Sequence, residues 1–135
     1  GKDVYQIFSQ FPDEPVASAS ISQVYRAVYK GQQVAVKVRH PDIEDNVARD
    51  VDILFGISRV LGKLSDSLSF PLTRDSLKKT LTDQLDFRIE ANNLARFSEY
   101  FHLHHNVHFP KVFLEASGER VLVESYVDGL PITSY

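Results

Sequence analysis

The chain has 135 residues, 15 of them Lys or Arg and 18 Asp or Glu, and 43% are hydrophobic, a composition that fits one globular domain with a core of its own. A net charge of −3 and the absence of cysteine argue against a strongly basic nucleic-acid surface and exclude disulfides, zinc ribbons and thiol catalysis. No run of some 18 apolar residues and no signal-like amino terminus occur, and the lack of any methionine leads us to expect a segment of a longer protein.

In chain order, a short strand is expected around Glu14 to Val16, with the Ala/Ser-rich stretch Pro15-Val16-Ala17-Ser18-Ala19-Ser20-Ile21-Ser22 set immediately before the hairpin. Small side chains let backbone approach a ligand, and consecutive N–H groups with three serine hydroxyls suit phosphate oxygens. The stretch is not a P-loop, because no Gly-Lys-Ser or Gly-Lys-Thr is present, and on composition alone such a stretch is more often an ordinary surface turn. Gln23 to Tyr29 and Val34 to Val38 then read as the arms of a β-hairpin around Lys30-Gly31-Gln32. Alternation puts Val34, Val36 and Val38 on one face and projects Lys37 from the other.

Pro41 closes this strand and Asp42 is placed to cap a helix from about Ile43 to Leu64. Two apolar stripes run along it, Val47, Val51, Leu54 and Leu61 beside Ile53, Ile57, Val60 and Leu64. So wide a face needs cover from the core, from a partner or from a membrane surface, and the sequence leaves these open. After a loop at 65–71, a helix is expected from Thr73 or Arg74 to Phe101, the longest element, with Asp83, Asp86 and Glu90 on one face. Like charges so spaced repel unless a cation lies opposite, and Lys37 is such a cation; a solvated stripe relieved by Lys79 and Arg88 is the alternative. Val112-Phe113-Leu114 and Arg120 to Glu124 read as two last strands joined around Ser117-Gly118. The order predicts an α+β fold, an antiparallel sheet with helices on one face. His102, His104, His105 and His108 show no recognised metal-ligand spacing, and no metal site is expected within the chain.

These segments occur in a distinctive order. Pro15 to Ala27, Val34-Ala35-Val36-Lys37-Val38-Arg39-His40-Pro41, Leu85-Asp86-Phe87-Arg88-Ile89-Glu90-Ala91-Asn92-Asn93 and Val107-His108-Phe109-Pro110-Lys111-Val112 together resemble the UbiB family, the aarF-domain-containing kinases. The resemblance runs from about Tyr5 to Tyr135, and Gln84 with Val121 to Tyr126 is most similar to the kinase 2 branch. It implies the amino-terminal lobe of an atypical kinase, a single partial domain over 1–135 that lacks its carboxy-terminal lobe. Ala17, Ser18, Ala19 and Ser20 would form the loop over the ATP phosphates, Lys37 the phosphate-binding lysine, and Glu90 its partner from helix αC. Ser125 to Val127 would form the hinge against adenine. Gln84 and Asp86 would hold the places of the family's Glu-x-Asp motif on the substrate side, with Gln84 departing from the expected Glu. Glu124 stands at the gatekeeper-like position, which makes the adenine pocket more polar.

The resemblance further implies ATP and Mg²⁺ as cofactors, with the Mg²⁺ ligands and catalytic aspartates outside this chain, so that the chain alone would not transfer phosphate. It implies a mitochondrial, membrane-associated role in coenzyme Q (ubiquinone) metabolism or lipid homeostasis, with membrane or lipid contact and no nucleic acid. A non-catalytic, pseudokinase-like binding module is the alternative.

Overall fold

Alternating side chains and one tight turn organise the sheet in the computed structural model, which describes residues 3–62 and 73–130. The strands β1 (Ala17–Ser18), β2 (Ser22–Tyr29), β3 (Gln32–Arg39) and β4 (Val121–Ser125) lie antiparallel and side by side in chain order. The expected hairpin is β2–β3, turned by Lys30 and Gly31 at φ 49° and 77°. Positive φ at both central residues matches the right-handed twist of the strands, and Gly31 adopts it without a Cβ clash.

Pairing sets Tyr25, Val36 and Val123 in one cross-strand row and Val24, Lys37 and Leu122 in the next, and successive rows face opposite sides. On the first side Ala27, Tyr29, Val34, Val36 and Val123 are buried with Phe8 and Phe113. Phe8 follows α1 (Val4–Ile7), a single turn started by a capping box between Asp3 and Gln6. On the second side Leu122 is buried against Phe87 and Ala91. Three longer helices are described, α2 (Ile43–Gly62), α3 (Arg74–Asp83) and α4 (Phe87–Tyr100). No described helix is long and apolar enough to cross a membrane.

Four expectations need correction. The single helix from Thr73 or Arg74 to Phe101 is two, α3 and α4, and α2 is the longest described element. The break has a packing cause: Leu85 and Phe87 are both buried, at 1% exposure each, and residues two apart on a continuous helix do not share a face. The Val112–Leu114 strand reduces to one bridge between Val112 and Glu124, followed by a 3₁₀ turn at Leu114–Ala116. Here the Ser117 hydroxyl donates to the Phe113 carbonyl at 2.8 Å and accepts from the Val123 N–H at 2.9 Å, so a side chain replaces part of a strand ladder. The first strand lies just beyond Glu14–Val16, at Ala17–Ser18, with the Val16 N–H donating to the Val24 carbonyl at 2.8 Å. Asp42 adopts φ 58° and takes the Asn46 N–H on its backbone carbonyl, in place of the expected side-chain cap.

Of the two stripes on α2, Val51 is buried, Val47 is half-buried, and Ile53, Leu54 and Ile57 remain exposed. Leu64, the loop at 65–71 and the side chains of Val60 and Leu61 lie outside the described residues.

Candidate functional site

The centre of the site is Lys37. Because Val36 and Val38 turn toward the first core, Lys37 projects from the opposite side of β3, where α4 crosses the sheet. Its Nζ donates to Glu90 Oε1 at 2.5 Å and lies 5.9 Å from the centre of the Phe87 ring. The two side chains are partly exposed, at 26% and 40%, so the pair is open to a ligand from solvent. A charge-assisted contact of this geometry fixes the ammonium against the first turn of α4.

What holds α4 there is a set of polar anchors at its start. Asp86 caps the helix by accepting the Arg88 N–H at 3.0 Å and also grips the Arg88 guanidinium, with Nη2 at 2.7 Å. These bonds hold the Asp86 carboxyl below its ordinary range. The Phe87 N–H donates to the Glu119 carbonyl at 3.0 Å. Arg39, whose side chain is 4% exposed, donates from Nη1 to the Leu85 carbonyl at 2.6 Å and pairs through Nη2 with Glu44 at 2.7 Å and Glu119 at 3.5 Å. Arg39 thus ties the α3–α4 turn, the start of α2 and the approach to β4 to one end of β3. Alternation from Lys37 puts Arg39 on the same helix-covered face, a signal present in the sequence.

The small-residue loop stands at the same side of the sheet. Ala17, Val24, Lys37 and Leu122 form one row across all four strands. Ala17, Ser18, Ala19 and Ser20 are exposed. The Ala19 N–H is taken by the Ser22 carbonyl at 2.8 Å, whereas the N–H groups of Ser20 and Ile21 and the hydroxyls of Ser18 and Ser20 have no partner among the described residues. His40, just past β3, holds the loop from beneath: its N–H donates to the Ile21 carbonyl at 3.0 Å, and its Nε2 lies 3.1 Å from the Ala19 carbonyl. A carbonyl only accepts, so that nitrogen carries hydrogen. His40 was not singled out from the sequence, and its ring contact has no local sequence signature.

At the far end of β4, the Ser125 N–H donates to the Lys111 carbonyl at 2.8 Å and its hydroxyl accepts the Lys111 N–H at 2.9 Å. The Tyr126 N–H donates to the Gln33 carbonyl at 3.1 Å, and the Arg26 guanidinium lies 4.2 Å from the Tyr126 ring centre. Val127 is 58% exposed, and its N–H has no partner among the described residues. Gln84 caps the end of α3, and with Asp83, Asp86, Glu90, Leu94 and Phe97 it lines a groove of about 610 Å³ along α3 and α4. The expected acidic stripe is therefore divided: Asp86 is satisfied by Arg88, and only Glu90 reaches Lys37. Among the described residues no three His, Cys, Asp or Glu side chains converge as a metal site, and His102 Nδ1 instead bonds the Glu99 carbonyl at 2.6 Å.

The geometry brings together Lys37 and Glu90, with the Ala17–Ser20 loop to one side and the Ser125–Val127 strand end to the other. Loose N–H and hydroxyl groups to one side of a lysine suit an anionic ligand such as a polyphosphate, and the free backbone at Val127 suits the edge of a base. These residues therefore fit ATP.

Comparison with known proteins agrees with this architecture. The ABC1 atypical kinase-like domain matches residues 1–135. An AarF domain-containing protein kinase 1 from Xenopus laevis is 34% identical over 130 residues, covering 96% of this chain and 25% of the relative. A protein of Arabidopsis thaliana named ACTIVITY OF BC1 COMPLEX KINASE 1, chloroplastic, is 33% identical, covering 98% of this chain and 20% of the relative. A Mycobacterium tuberculosis protein solved in complex with erythromycin superposes with a TM-score of 0.80 at 33% identity, over 98% of this chain and 34% of that one. The fold is that of a kinase-like amino-terminal lobe. The chain belongs to the ABC1 family of atypical kinase-like proteins, the AarF or UbiB family, and spans about a quarter of the length of the curated relatives it matches.

Proposed function

We propose that this chain is the ATP-binding lobe of an atypical kinase or ATPase, a single partial domain over 1–135 whose carboxy-terminal lobe completes the active site. The Lys37–Glu90 ion pair carries this reading. Lys37 would hold nucleotide phosphate, with Glu90 fixing its position. Ala17, Ser18, Ala19 and Ser20 would contribute backbone and hydroxyl donors from one side, and Ser125 and Val127 would offer backbone groups to adenine. Bound ATP would supply the phosphoryl group, and Mg²⁺, on ligands outside this chain, would neutralise charge as it is transferred. Gln84 and Asp86 would shape the groove on the substrate side.

The family resemblance supports placing the whole protein in the kinase 2 branch, in a mitochondrial, membrane-associated role in coenzyme Q metabolism or lipid homeostasis. A binding module without turnover is the second reading. It is favoured by the neutral Gln84 in an otherwise acidic motif and by a carboxylate, Glu124, on the same sheet face as Lys37.

A magnesium-dependent ATP titration by thermal shift on the full-length protein tests the site. Saturation at about 100 times Kd stabilises by about 2.7 kcal/mol, which raises Tm by a few degrees. Lys37→Ala should stay folded and lose the shift. No response from the unsubstituted protein at millimolar nucleotide would sink the ATP reading.

A further inference from the structure

One carboxylate near Lys37 has no role in the arrangement above. Glu124 on β4 pairs in register with Ala35, two residues before Lys37 on the same face of β3, so the two side chains are diagonal neighbours, within reach of each other's charge. Glu90 approaches the same ammonium from α4. Glu124 is half-buried, and among the described residues its carboxylate makes no hydrogen bond or ion pair. Nearby, Val112 bridges to the Glu124 backbone and joins Leu122 and Phe87 in the apolar cluster on this side of the sheet.

We infer that Glu124 regulates the nucleotide site as a positioning residue: when ionised it competes with nucleotide phosphate for the Lys37 ammonium, and when protonated it leaves that ammonium to the ligand. The inference rests on the ATP-binding reading given above.

Among the described residues the charges facing Glu124 are few. From β3 there is Lys37 and from α4 there is Glu90. On β2, Arg26 is turned to Gln33 and the Tyr126 ring, and Lys111, on the segment beside β4, lies over the Phe113 ring. With Glu124 protonated, Lys37 and Glu90 sum to zero. Once Glu124 ionises, the three carry one net negative charge, which opposes phosphate. Burial raises the affinity of this carboxyl for its proton, Lys37 lowers it and Glu90 raises it again, and the balance is upward from 4.5. Phosphate binding therefore weakens as pH rises through this raised value.

The test is equilibrium binding of Mg²⁺·ATP to the full-length protein from pH 5 to pH 8, for the unsubstituted protein, Glu124→Gln and Lys37→Ala. Excess Mg²⁺ is kept in all buffers, and the Gln variant in the same buffers removes titration of the nucleotide itself. Glu124→Gln should bind about threefold or more tightly than the unsubstituted protein at pH 8, with the difference shrinking toward pH 5. A role in folding alone would not produce a difference that varies with pH in this way. Parallel pH profiles, with binding retained and lost in Lys37→Ala, would overturn the inference about Glu124 while leaving the ATP site standing. Absence of binding by all three proteins would overturn the ATP reading, and the inference with it.

Discussion

Two cations on one face of β3 carry different tasks. Lys37 is partly open and holds a single carboxylate, whereas Arg39 is buried, with its guanidinium shared among the Leu85 carbonyl, Glu44 and Glu119. Removing Arg39 strands a carbonyl beneath the α3–α4 turn and releases two carboxylates that solvent still reaches. Arg39→Ala should therefore cost about 2–4 kcal/mol in urea unfolding, less than a fully buried pair would, and Arg39→Lys should recover only part because a point charge cannot bond three acceptors in a fork. An Arg39→Ala protein as stable as the unsubstituted one would show that the turn is held by packing alone. The valine alternation made the direction of Lys37 readable from sequence, and the same count extended by two residues reaches Arg39. The partners of Arg39 were not readable, because Glu44, Leu85 and Glu119 converge only once three separate segments have folded.

Helix boundaries show where periodicity misleads. The leucines at 77, 81 and 85 and the residues from Phe87 onward fit one continuous stripe on paper, yet Leu85 is the residue that leaves the helix to fill the core and Asp86 restarts it as a cap. A carboxylate followed two residues later by Arg was legible as a charge pair but not as a helix start. Asp86→Ala should cost about 1 kcal/mol through the lost cap and loosen the first turn of α4, which carries Glu90. Asp86→Asn keeps the cap while removing the charge. Because Arg88 lowers the folded-state pKa of Asp86, the stabilisation by its charge is fully present above the ordinary value of 3.8 and is lost as pH falls through the lowered one. Unfolding measured from pH 2 to 6 should show a shallower acid limb for Asp86→Asn; superimposable limbs would mean that the Arg88 pairing contributes nothing to folding. The strand expected at Val112–Leu114 failed for a related reason, since a serine hydroxyl at Ser117 supplied bonds that strand periodicity cannot anticipate.

Across the whole molecule, the α+β class, the hairpin, and the meeting of Lys37 with Glu90 were all accessible from the residues and the family resemblance. Those features rest on local alternation and on motif order. The two-sided core was not accessible, because α1 with Phe8 covers one side of the sheet and α4 the other, and nothing in a linear pattern assigns a helix to a side. β4 joins the two: Val123 enters one core and Leu122 the other, both at 0% exposure. Yet β4 pairs with β3 only after the segment 40–120, with its helices, has intervened. The β2–β3 hairpin can close quickly by itself, but neither core is complete until this one short strand returns across that long excursion, and closing so large a loop is slow. β4 therefore acts as the latch of the folding reaction. Leu122→Ala should cost about 2–5 kcal/mol, with most of the loss appearing as faster unfolding in a chevron analysis, because contacts made after the transition state leave the refolding rate nearly unchanged. Val34→Ala, which alters a core residue already gathered in the hairpin, gives the comparison, and equal partitioning of the two losses would argue against a late-closing strand. During synthesis the same geometry keeps apolar faces on both sides of the hairpin uncovered until residues 121–125 arrive, which is the interval in which this lobe is most exposed to wrong partners.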